Sequence, residues 1–246
     1  MKFWNALLIF FCALFFPFAL KASEVPKLYC MYTPAYETLL REYFLPSLKD
    51  KFQVVIREFP QDCTEAQFLT KGWDKTMQNK LKMLREAVLD NWGEIFFYSD
   101  VDIIFLKPAL ARSIELLGDR DFVVQQEWPS DALCAGFFVM RGNAKTLQLI
   151  TRAEKLLEEG ICPDDQVALQ QSLNKFAPEK IAWSYLPIQE YPNGRFVLSS
   201  TQKLYVPYSP LKVRKHMLLL HANWCVGLEN KYHFLRAVEA EFAKLR

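Results

Sequence analysis

The segment Glu94–Asp102, with the sequence E-I-F-F-Y-S-D-V-D, is the part of the chain that most strongly indicates the fold. Its residues Ile95–Tyr98 are all apolar, without the polar alternation of a half-exposed strand. Such a run is typical of a strand buried on both faces of a parallel sheet. The run leads into Asp100 and Asp102, and two carboxylates at the end of a buried strand are costly unless a positive group neutralises them.

The D-x-D pair therefore predicts a metal site. Open α/β sheets bind ligands beyond the carboxyl ends of their strands. If the strand continues past Ser99, side-chain alternation puts Asp100 and Asp102 on the same side. A hard divalent cation prefers such oxygen ligands and keeps open positions for diphosphate oxygens. An isolated D-x-D is more often a pair of aspartates that make turn hydrogen bonds, but the strand before it and residues 103–108 after it favour the metal.

Strand and helix patterns alternate along the rest of the chain. Helical spacing is clearest at 76–92, where one face carries Met77, Leu81, Leu84 and Val88. Further strands are predicted at 28–32, 52–59, 122–125, 136–140 and 217–221, and further helices at 36–48, 109–117, 143–160, 164–173 and 231–245. This alternation predicts an α/β sandwich around a mostly parallel central sheet.

The composition fits one globular domain, predicted at residues 25–246. The chain has 246 residues, of which 51% are hydrophobic and 24% charged, and single cores extend to roughly 250 residues. The formal net charge is +2 and the charges are interspersed. Because this differs from the basic stripe of a nucleic-acid-binding protein, we expect no nucleic-acid partner.

Residues 1–22 have the pattern of a secretory signal peptide. Lys2 supplies a positive charge, Ala6–Leu20 is apolar, and cleavage is predicted after Ala22. The apolar run has about 15 residues, short of the roughly 20 that a membrane span needs. We therefore expect an exported protein, periplasmic or secreted in a bacterium; the alternative is an uncleaved anchor that holds a lumenal protein at a membrane. The absence of an Asn-x-Ser/Thr sequon from the sequence weakly favours the bacterial case.

Five cysteines follow the predicted cleavage site. An odd number leaves at least one thiol outside any disulfide, and export permits a disulfide without requiring one. No C-x-x-C pair occurs in the sequence, which argues against a zinc ribbon or a redox motif.

Residues 98–108, Y-S-D-V-D-I-I-F-L-K-P, resemble the D-x-D region of nucleotide-diphospho-sugar transferases with the GT-A (Rossmann-like) fold. The resemblance is to the group that includes glycogenin-like enzymes and plant cell-wall arabinosyl- and xylosyltransferases, and ordered short motifs extend it from Leu28 to Tyr232. It implies an α/β/α sandwich and a glycosyltransferase that uses Mn²⁺ or Mg²⁺ and a nucleotide-diphosphate sugar donor. By this resemblance, Asp102 ligates the metal, and Asp100 contacts the donor ribose and shares the metal.

The resemblance also implies donor-binding residues before the D-x-D motif. Thr33 and Tyr36 match the loop where the nucleobase lies, although Tyr36 is equally well explained as a core residue at a helix start. In this family, the helix before the D-x-D strand normally carries a lysine that contacts the phosphates or the base of the donor. At about 100° per residue, Lys80 borders the apolar face of that helix and Lys82 points away from it, so we expect Lys80 to bind the donor.

Two further motifs follow the D-x-D region. Asp164-Asp165-Gln166 resembles the element that faces the sugar: we assign helix capping to Asp164 and the catalytic role to Asp165, with Gln166 beside it. Residues 221–231 resemble the family's C-terminal element, which implies that His221 is the third metal ligand and that Gly227 and Lys231 hold the diphosphate. Gly136 matches the family's Asn-x-Gly motif as a donor-binding residue, but Cys134 stands where the asparagine is expected.

Two alternatives to a glycosyltransferase remain from the sequence. A haloacid-dehalogenase-like phosphatase also places D-x-D after an apolar strand, but its motif has Thr or Val at the position where this chain has Ile104. A binding protein for a carbohydrate or a nucleotide sugar would keep the fold without turnover. The resemblance favours a retaining transferase; the sequence does not identify the acceptor, whether glycan, protein or lipid, and membrane contact is expected only if the N-terminal segment is uncleaved.

Overall fold

The computed structural model of the protein describes residues 25–63, 70–176, 181–199 and 201–246. The predicted signal peptide at residues 1–22 lies outside these ranges and stays a prediction. In the described part of the chain, no helix is both long and apolar enough to cross a membrane.

Eight strands and seven helical segments make up the described chain. The strands are β1 (Lys27–Tyr32), β2 (Gln53–Glu58), β3 (Ile95–Ser99), β4 (Ile103–Phe105), β5 (Phe122–Glu127), β6 (Ala132–Arg141), β7 (Trp183–Tyr185) and β8 (Leu219–His221). The helical segments are α1 (34–47, with a 3-10 turn at Pro34–Tyr36 and a π segment at Leu39–Phe44), α2 (Trp73–Asp90), α3 (Leu110–Leu117), α4 (Ala144–Glu158), α5 (Asp165–Phe176), α6 (Gly194–Val197) and α7 (Leu228–Ala243).

Six strands form the central sheet in the order β2-β1-β3-β6-β5-β7. Strand β6 is antiparallel to both of its neighbours, β3 and β5, whereas the other strand pairs are parallel. The prediction of a mostly parallel sheet is therefore confirmed. Strand β6 is longer than predicted, because 132–135 continue the pairing with β5 beyond the end of β3.

Helices cover both faces of this sheet, so the α/β/α sandwich is also confirmed. Strand β3 shows why its sequence is continuously apolar: Phe97 packs into the core on one face, and Phe96 and Tyr98 pack into the core on the other. The first core includes side chains of α1, α3 and α7, and the second those of α2, α4 and α5.

Polar side chains cap the starts of two helices, and one of them is the predicted cap Asp164. The Asn143 side chain accepts hydrogen bonds from the backbone N–H groups of Lys145 and Thr146 at the start of α4. The Asp164 carboxylate accepts one from Val167 N at 2.8 Å at the start of α5. Each side chain satisfies N–H groups that have no partner within the first helical turn.

The condition for side-chain alternation across the D-x-D motif, a strand that continues past Ser99, is not met in the structure. The strand ends at Ser99 and the chain turns at Val101-Asp102, so a continued strand is not what orients the two aspartates. The chain resumes as β4, which pairs antiparallel with β8 in a separate two-stranded sheet. The predicted last strand at 217–221 is therefore shorter than expected, and it pairs outside the central sheet.

Candidate active site

A cavity of about 530 Å³ opens at the carboxyl ends of β1, β3 and β5. Its lining contains all but one of the residues predicted for the site: Thr33, Tyr36, Lys80, Asp100, Asp102, Gly136, Asp165, Gln166, His221 and Lys231. The exception is Gly227, which lies just outside the lining at the residue before α7. Gly227 has φ 85° there, in the left-handed region that favours glycine.

Three side chains in this cavity converge in the manner of metal ligands. One ligand atom each from Asp100, Asp102 and His221 lies within 4.8 Å of the others. His221 Nε2 is 3.2 Å from Asp102 Oδ1 and 3.8 Å from Asp100 Oδ2. Two carboxylate oxygens and an imidazole nitrogen suit a divalent cation, so the residues present fit the predicted group.

Pairing between strands brings these three residues together. The β4–β8 register places Ile103 opposite His221, and the Ala222 N–H donates to Asp102 O at 2.8 Å. On the other side, the Asp100 N–H donates to Gly136 O at 2.7 Å, which holds the turn after β3 against β6. The D-x-D turn is therefore held from both sides by backbone hydrogen bonds.

Two lysines, the buried Lys80 and the half-buried Lys231, hold the remaining carboxylate oxygens. Lys80 Nζ lies 3.0 Å from Asp100 Oδ1 and 2.9 Å from Asp165 Oδ2. Lys231 Nζ lies 2.5 Å from Asp102 Oδ2. Each D-x-D aspartate therefore has one oxygen paired with a lysine and the other facing His221.

The two lysines differ in the acceptors that surround them. An ammonium has three N–H donors. Lys80 donates hydrogen bonds to Asp100 and to the carbonyl of Ala135, the latter at 3.1 Å, and also forms an ion pair with Asp165, so three acceptors surround its ammonium. Lys231 contacts Asp102 and Ala222 O, which leaves one donor that a ligand could use. Lys82, in contrast, is exposed on the outer side of α2.

The two aspartates of the motif have opposite pKa shifts. Burial raises the pKa of Asp100 and outweighs the opposing effect of Lys80. Burial also acts to raise the pKa of Asp102, but Lys231 and His221 more than offset it, so that pKa lies well below its usual range. Although burial opposes their charged forms, the neighbouring carboxylates raise the pKa values of Lys80 and Lys231.

The ring of His221 is oriented by Gln125, a fully buried residue of β5. The Gln125 Nε2 group donates to Tyr191 O at 3.0 Å and to Pro192 O at 2.8 Å, so both of its hydrogens are used. Its oxygen Oε1 consequently faces His221 Nδ1 at 3.2 Å and accepts the Nδ1 hydrogen. This tautomer leaves the lone pair of Nε2 directed at the two aspartates, as a metal ligand requires.

Gly136 makes room for the same ring. A Cβ atom at this position would lie 2.2 Å from His221 Cε1 and 2.5 Å from Nδ1, closer than non-bonded atoms can approach. The glycine of β6 is therefore explained by the packing of the imidazole, in addition to its place in the cavity lining.

The predicted catalytic pair lies on α5, against β6. Asp165 is 5% exposed and its carboxylate is paired with Lys80. Gln166 Oε1 accepts the Ala135 N–H at 3.3 Å, which ties the helix start to β6. Both residues line the cavity, and Lys80 joins Asp165 to Asp100 of the metal cluster.

Thr33 and Tyr36 lie at the β1 end of the cavity. Thr33 follows β1 directly and is buried, and Tyr36 is half-buried. Tyr36 lines the cavity and also packs against the core, and its contact with a nucleobase stays a prediction. Burial raises its pKa to about 12, which keeps the phenol protonated at neutral pH.

Glu127, a half-buried carboxylate in the cavity lining at the end of β5, belongs to no motif that the sequence singled out. Its oxygens accept hydrogen bonds from Trp224 Nε1 at 2.5 Å, Asn223 Nδ2 at 3.1 Å and Asn193 Nδ2 at 3.3 Å. Burial raises its pKa, against the opposing effect of the hydrogen bonds from Cys134 and Trp224. The available signal was a polar end, Gln125–Glu127, on an apolar strand.

The turn 191–194 was also missed as part of the site. Asn193 forms an isolated parallel bridge with His221, and the Gly194 N–H donates to Asn223 Oδ1 at 2.7 Å. A Cβ atom at Gly194 would lie 2.0 Å from Asn223 O, so only a glycine permits this close approach. The turn therefore supports the strand that carries His221.

The charge of the cavity is unbalanced. Its described lining contains five carboxylates, on Asp100, Asp102, Glu127, Asp164 and Asp165, and two lysines, Lys80 and Lys231. An excess of negative charge in a partly buried site is unfavourable unless a cation binds there.

Four thiols, those of Cys30, Cys134, Cys162 and Cys225, are buried outside any disulfide, and Cys134 and Cys225 belong to the cavity lining.

Comparison with known proteins gives a consistent result. Residues 43–235 match the family described as nucleotide-diphospho-sugar transferase. The fold is similar to that of a glycosyltransferase involved in the glycosylation of the major capsid of PBCV-1, with a TM-score of 0.58 and 12% identity over 85% of this chain and 98% of that chain. No curated protein matches the chain significantly.

A second solved structure extends the comparison. The apo-form glycosyltransferase GlyE of Streptococcus pneumoniae TIGR4 is similar with a TM-score of 0.50 and 16% identity. The match covers 90% of this chain and 64% of GlyE, so this chain spans less than two thirds of that protein's length. At such low identities these likenesses show the fold alone.

Proposed function

The chain belongs to the nucleotide-diphospho-sugar transferases, and from that membership we propose that it transfers a glycosyl group from a nucleotide-diphosphate sugar with the help of a divalent cation. One observation carries the proposal. One potential metal-ligating atom each from Asp100, Asp102 and His221 converge in the cavity. The described lining of this cavity contains more carboxylates than lysines, so a bound cation would improve its charge balance. The family membership favours this function over the phosphatase considered from the sequence.

The cation, Mn²⁺ or Mg²⁺, would be held by Asp102, His221 and Asp100. When bound, it would neutralise the negative charge that develops on the leaving diphosphate. The free N–H donor of Lys231 supports the same charge from the protein side, because a fixed ammonium needs no reorganisation during the reaction.

The other lining residues divide between binding and positioning in this proposal. Thr33 and Tyr36 contact the nucleoside. Gly227 does not line the cavity, and its role is to set the start of α7, the helix that carries Lys231. Lys80 is surrounded by Asp100, Asp165 and Ala135 O, so in this proposal it holds the two aspartates in place rather than binding the nucleotide sugar itself. Asp165, with Gln166 beside it, places negative charge near the anomeric carbon, where an oxocarbenium-like transition state develops. The resemblance to retaining enzymes extends the proposal to retention at this carbon.

Thermal unfolding of the protein with UDP, GDP or CDP, each with Mn²⁺ or with a chelator, tests the proposal. A ligand at about 100 times its dissociation constant stabilises the native state by roughly 2.7 kcal/mol. We expect one nucleotide to raise the midpoint in a Mn²⁺-dependent manner and the effect to disappear in Asp102→Ala. Asp119→Ala, which removes an exposed aspartate of the turn after α3, is the matched control and should respond like the unmodified protein.

Absence of a Mn²⁺-dependent shift with all three nucleotides would count against the transferase. A shift without release of nucleotide diphosphate from any sugar donor, with or without acceptor glycans, would instead support the binding protein.

A further inference from the structure

Among the described residues of the cavity lining, Glu127 is the one carboxylate that belongs neither to the metal cluster nor to the start of α5. It lies at the end of β5, where the β5–β6 hairpin extends beyond the end of β3: Ser99 pairs with Phe137, whereas Glu127 pairs with Ala132 further out. The hairpin therefore forms a wall of the cavity that rises above the metal cluster, and Glu127 belongs to that wall.

The carboxylate of Glu127 is fixed in place by neutral donors. The amides of Asn193 and Asn223 and the indole of Trp224 all donate to it. Asn193 pairs with His221 and the other two residues follow His221 in the chain, so the elements that carry the metal ligand also orient this carboxylate. A carboxylate held by several donors loses little further conformational entropy when a ligand binds to it.

The negative charge of Glu127 is uncompensated, unlike that of its neighbours. Asp100 and Asp165 are paired with Lys80, and Asp102 is paired with Lys231. In the described part of the chain, no lysine or arginine forms an ion pair with Glu127, and its partners carry no formal charge. No lysine or arginine of the described chain therefore neutralises this charge directly, and it faces whatever occupies this side of the cavity.

The order of the strands shows which part of the donor this is. Along the carboxyl edge of the sheet the sequence is β1, β3, β6, β5. Thr33 follows β1, the metal cluster follows β3, and Glu127 ends β5, three strand spacings of about 4.8 Å from β1. A nucleotide sugar joins its nucleoside, diphosphate and sugar in that order, so a donor bound in an extended form, with its nucleoside at β1 and its diphosphate at the cluster, places its sugar toward β5. This step rests on the proposed function.

We propose that Glu127 recognises the sugar of the donor through hydroxyl groups, and that it selects neutral sugars against uronates. An ionised carboxylate is only an acceptor of hydrogen bonds, so it pairs with hydroxyl donors of a neutral hexose or pentose. The carboxylate of a uronate at the same place would face a like charge without a cation between them, and such a juxtaposition is strongly unfavourable.

Binding of matched nucleotide sugars tests this role by isothermal titration calorimetry with Mn²⁺. The pairs are UDP-glucose and UDP-glucuronate, UDP-galactose and UDP-galacturonate, and GDP-mannose and GDP-mannuronate. For the nucleotide that the protein accepts, we expect the unmodified protein to bind the neutral sugar at least about tenfold more tightly than its uronate. Equal or tighter binding of the uronate in every accepted pair would overturn the inference without any variant.

The variant Glu127→Gln removes the charge with little change of shape. We expect its preference for the neutral sugar to fall to within about threefold, mainly because the uronate binds more tightly. Its dissociation constant for the nucleotide diphosphate with Mn²⁺ should be unchanged, which shows that the cavity is intact. Asp131→Asn is the matched control, since it removes an exposed charge from the same hairpin; it should keep the full preference.

The two proposals fail in different ways. If no nucleotide diphosphate binds the unmodified protein with Mn²⁺, the proposed function fails and this inference with it. If the nucleotide binds and Glu127→Gln keeps the preference for the neutral sugar, only the role of Glu127 is overturned.

Discussion

At the scale of single residues, the metal cluster depends on a side chain outside the cavity. Gln125 is fully buried, and it holds His221 in the tautomer that directs Nε2 at Asp100 and Asp102. A residue that hydrogen-bonds the second nitrogen of a metal-binding histidine commonly has a large effect on metal affinity, because it sets both the tautomer and the orientation of the ring. Gln125 is therefore a positioning residue for the proposed cation.

Replacing this glutamine should weaken metal binding. Gln125→Met keeps the approximate shape but removes the acceptor for His221 Nδ1, so we expect the affinity for Mn²⁺ to fall about 10- to 100-fold. Titration of free Mn²⁺ by electron paramagnetic resonance measures this directly, at a temperature where circular dichroism shows the variant to be folded.

Gln126→Met is the control for this experiment. The Gln126 side chain bonds Ser130 O on the hairpin and does not contact His221, so its Mn²⁺ affinity should stay that of the unmodified protein. Unchanged affinity in Gln125→Met would show that the ring is oriented by other contacts.

Whether a site residue could be predicted from the sequence depends on whether it stands in a short motif. Asp100, Asp102, His221 and Lys231 stand in short local motifs, and the structure brings them together. Glu127 stands in no such motif.

At the scale of secondary-structure elements, Asp121 joins three of them. Its carboxylate accepts hydrogen bonds from Ala182 N before β7 at 2.8 Å, from Asn143 Nδ2 at the start of α4 at 2.9 Å, and from Lys145 Nζ at 3.1 Å. Burial acts to raise the pKa of Asp121, but these bonds outweigh burial and lower it below the ordinary value of 3.8. The folded state therefore favours the ionised form.

This shift predicts how stability depends on pH. A carboxyl whose pKa is lower in the folded state stabilises the protein above its unfolded pKa, and the contribution is lost as the pH falls through the folded pKa. We expect Asp121→Asn to cost about 1–3 kcal/mol at pH 7. The difference from the unmodified protein should shrink below roughly pH 4, where the carboxyl begins to be protonated.

Urea unfolding between pH 7 and pH 3 measures the difference. Asp119→Asn removes a charge two residues away on an exposed turn and should leave stability unchanged at each pH. A gap between Asp121→Asn and the unmodified protein that stays constant down to pH 3 would contradict the assigned shift.

At the scale of the whole molecule, one sheet separates two cores. The first core includes Phe234 of α7 and the second Leu149 of α4, and both side chains are fully buried. Because strand β3 contributes side chains to both cores, neither can be lost while the other stays intact. The residues of the site extend from Thr33 to Lys231 and therefore depend on the same structure.

We consequently expect a single unfolding transition. Phe234→Ala and Leu149→Ala should lower stability by about 3–5 and about 2–5 kcal/mol respectively, each shifting one common transition seen by far-ultraviolet circular dichroism and by tryptophan fluorescence. Leu89→Ala, at a side chain that is 48% exposed, should have little effect. Two separate transitions, or curves from the two probes that do not coincide, would show independent halves and contradict the single domain predicted at 25–246.

Local patterns in the sequence determined the order and type of most elements, the mostly parallel sheet and the D-x-D cluster. Periodicity reports which side chains face a core, and a short motif keeps its residues within a few bonds of each other. The ends of elements were less well predicted: α2 begins at Trp73 rather than Thr76, and β6 begins at Ala132 rather than Gly136.

Tertiary structure alone decided the rest of the site. Strand β6 lies antiparallel between β3 and β5, and this order brings Gln125 to His221 and Glu127 to the cavity. The pairing of Lys80 with both Asp100 and Asp165 likewise joins residues 20 and 85 positions away in the chain. Such contacts depend on which strands become neighbours, and that choice is made by packing of the whole core, which no local pattern in the chain encodes.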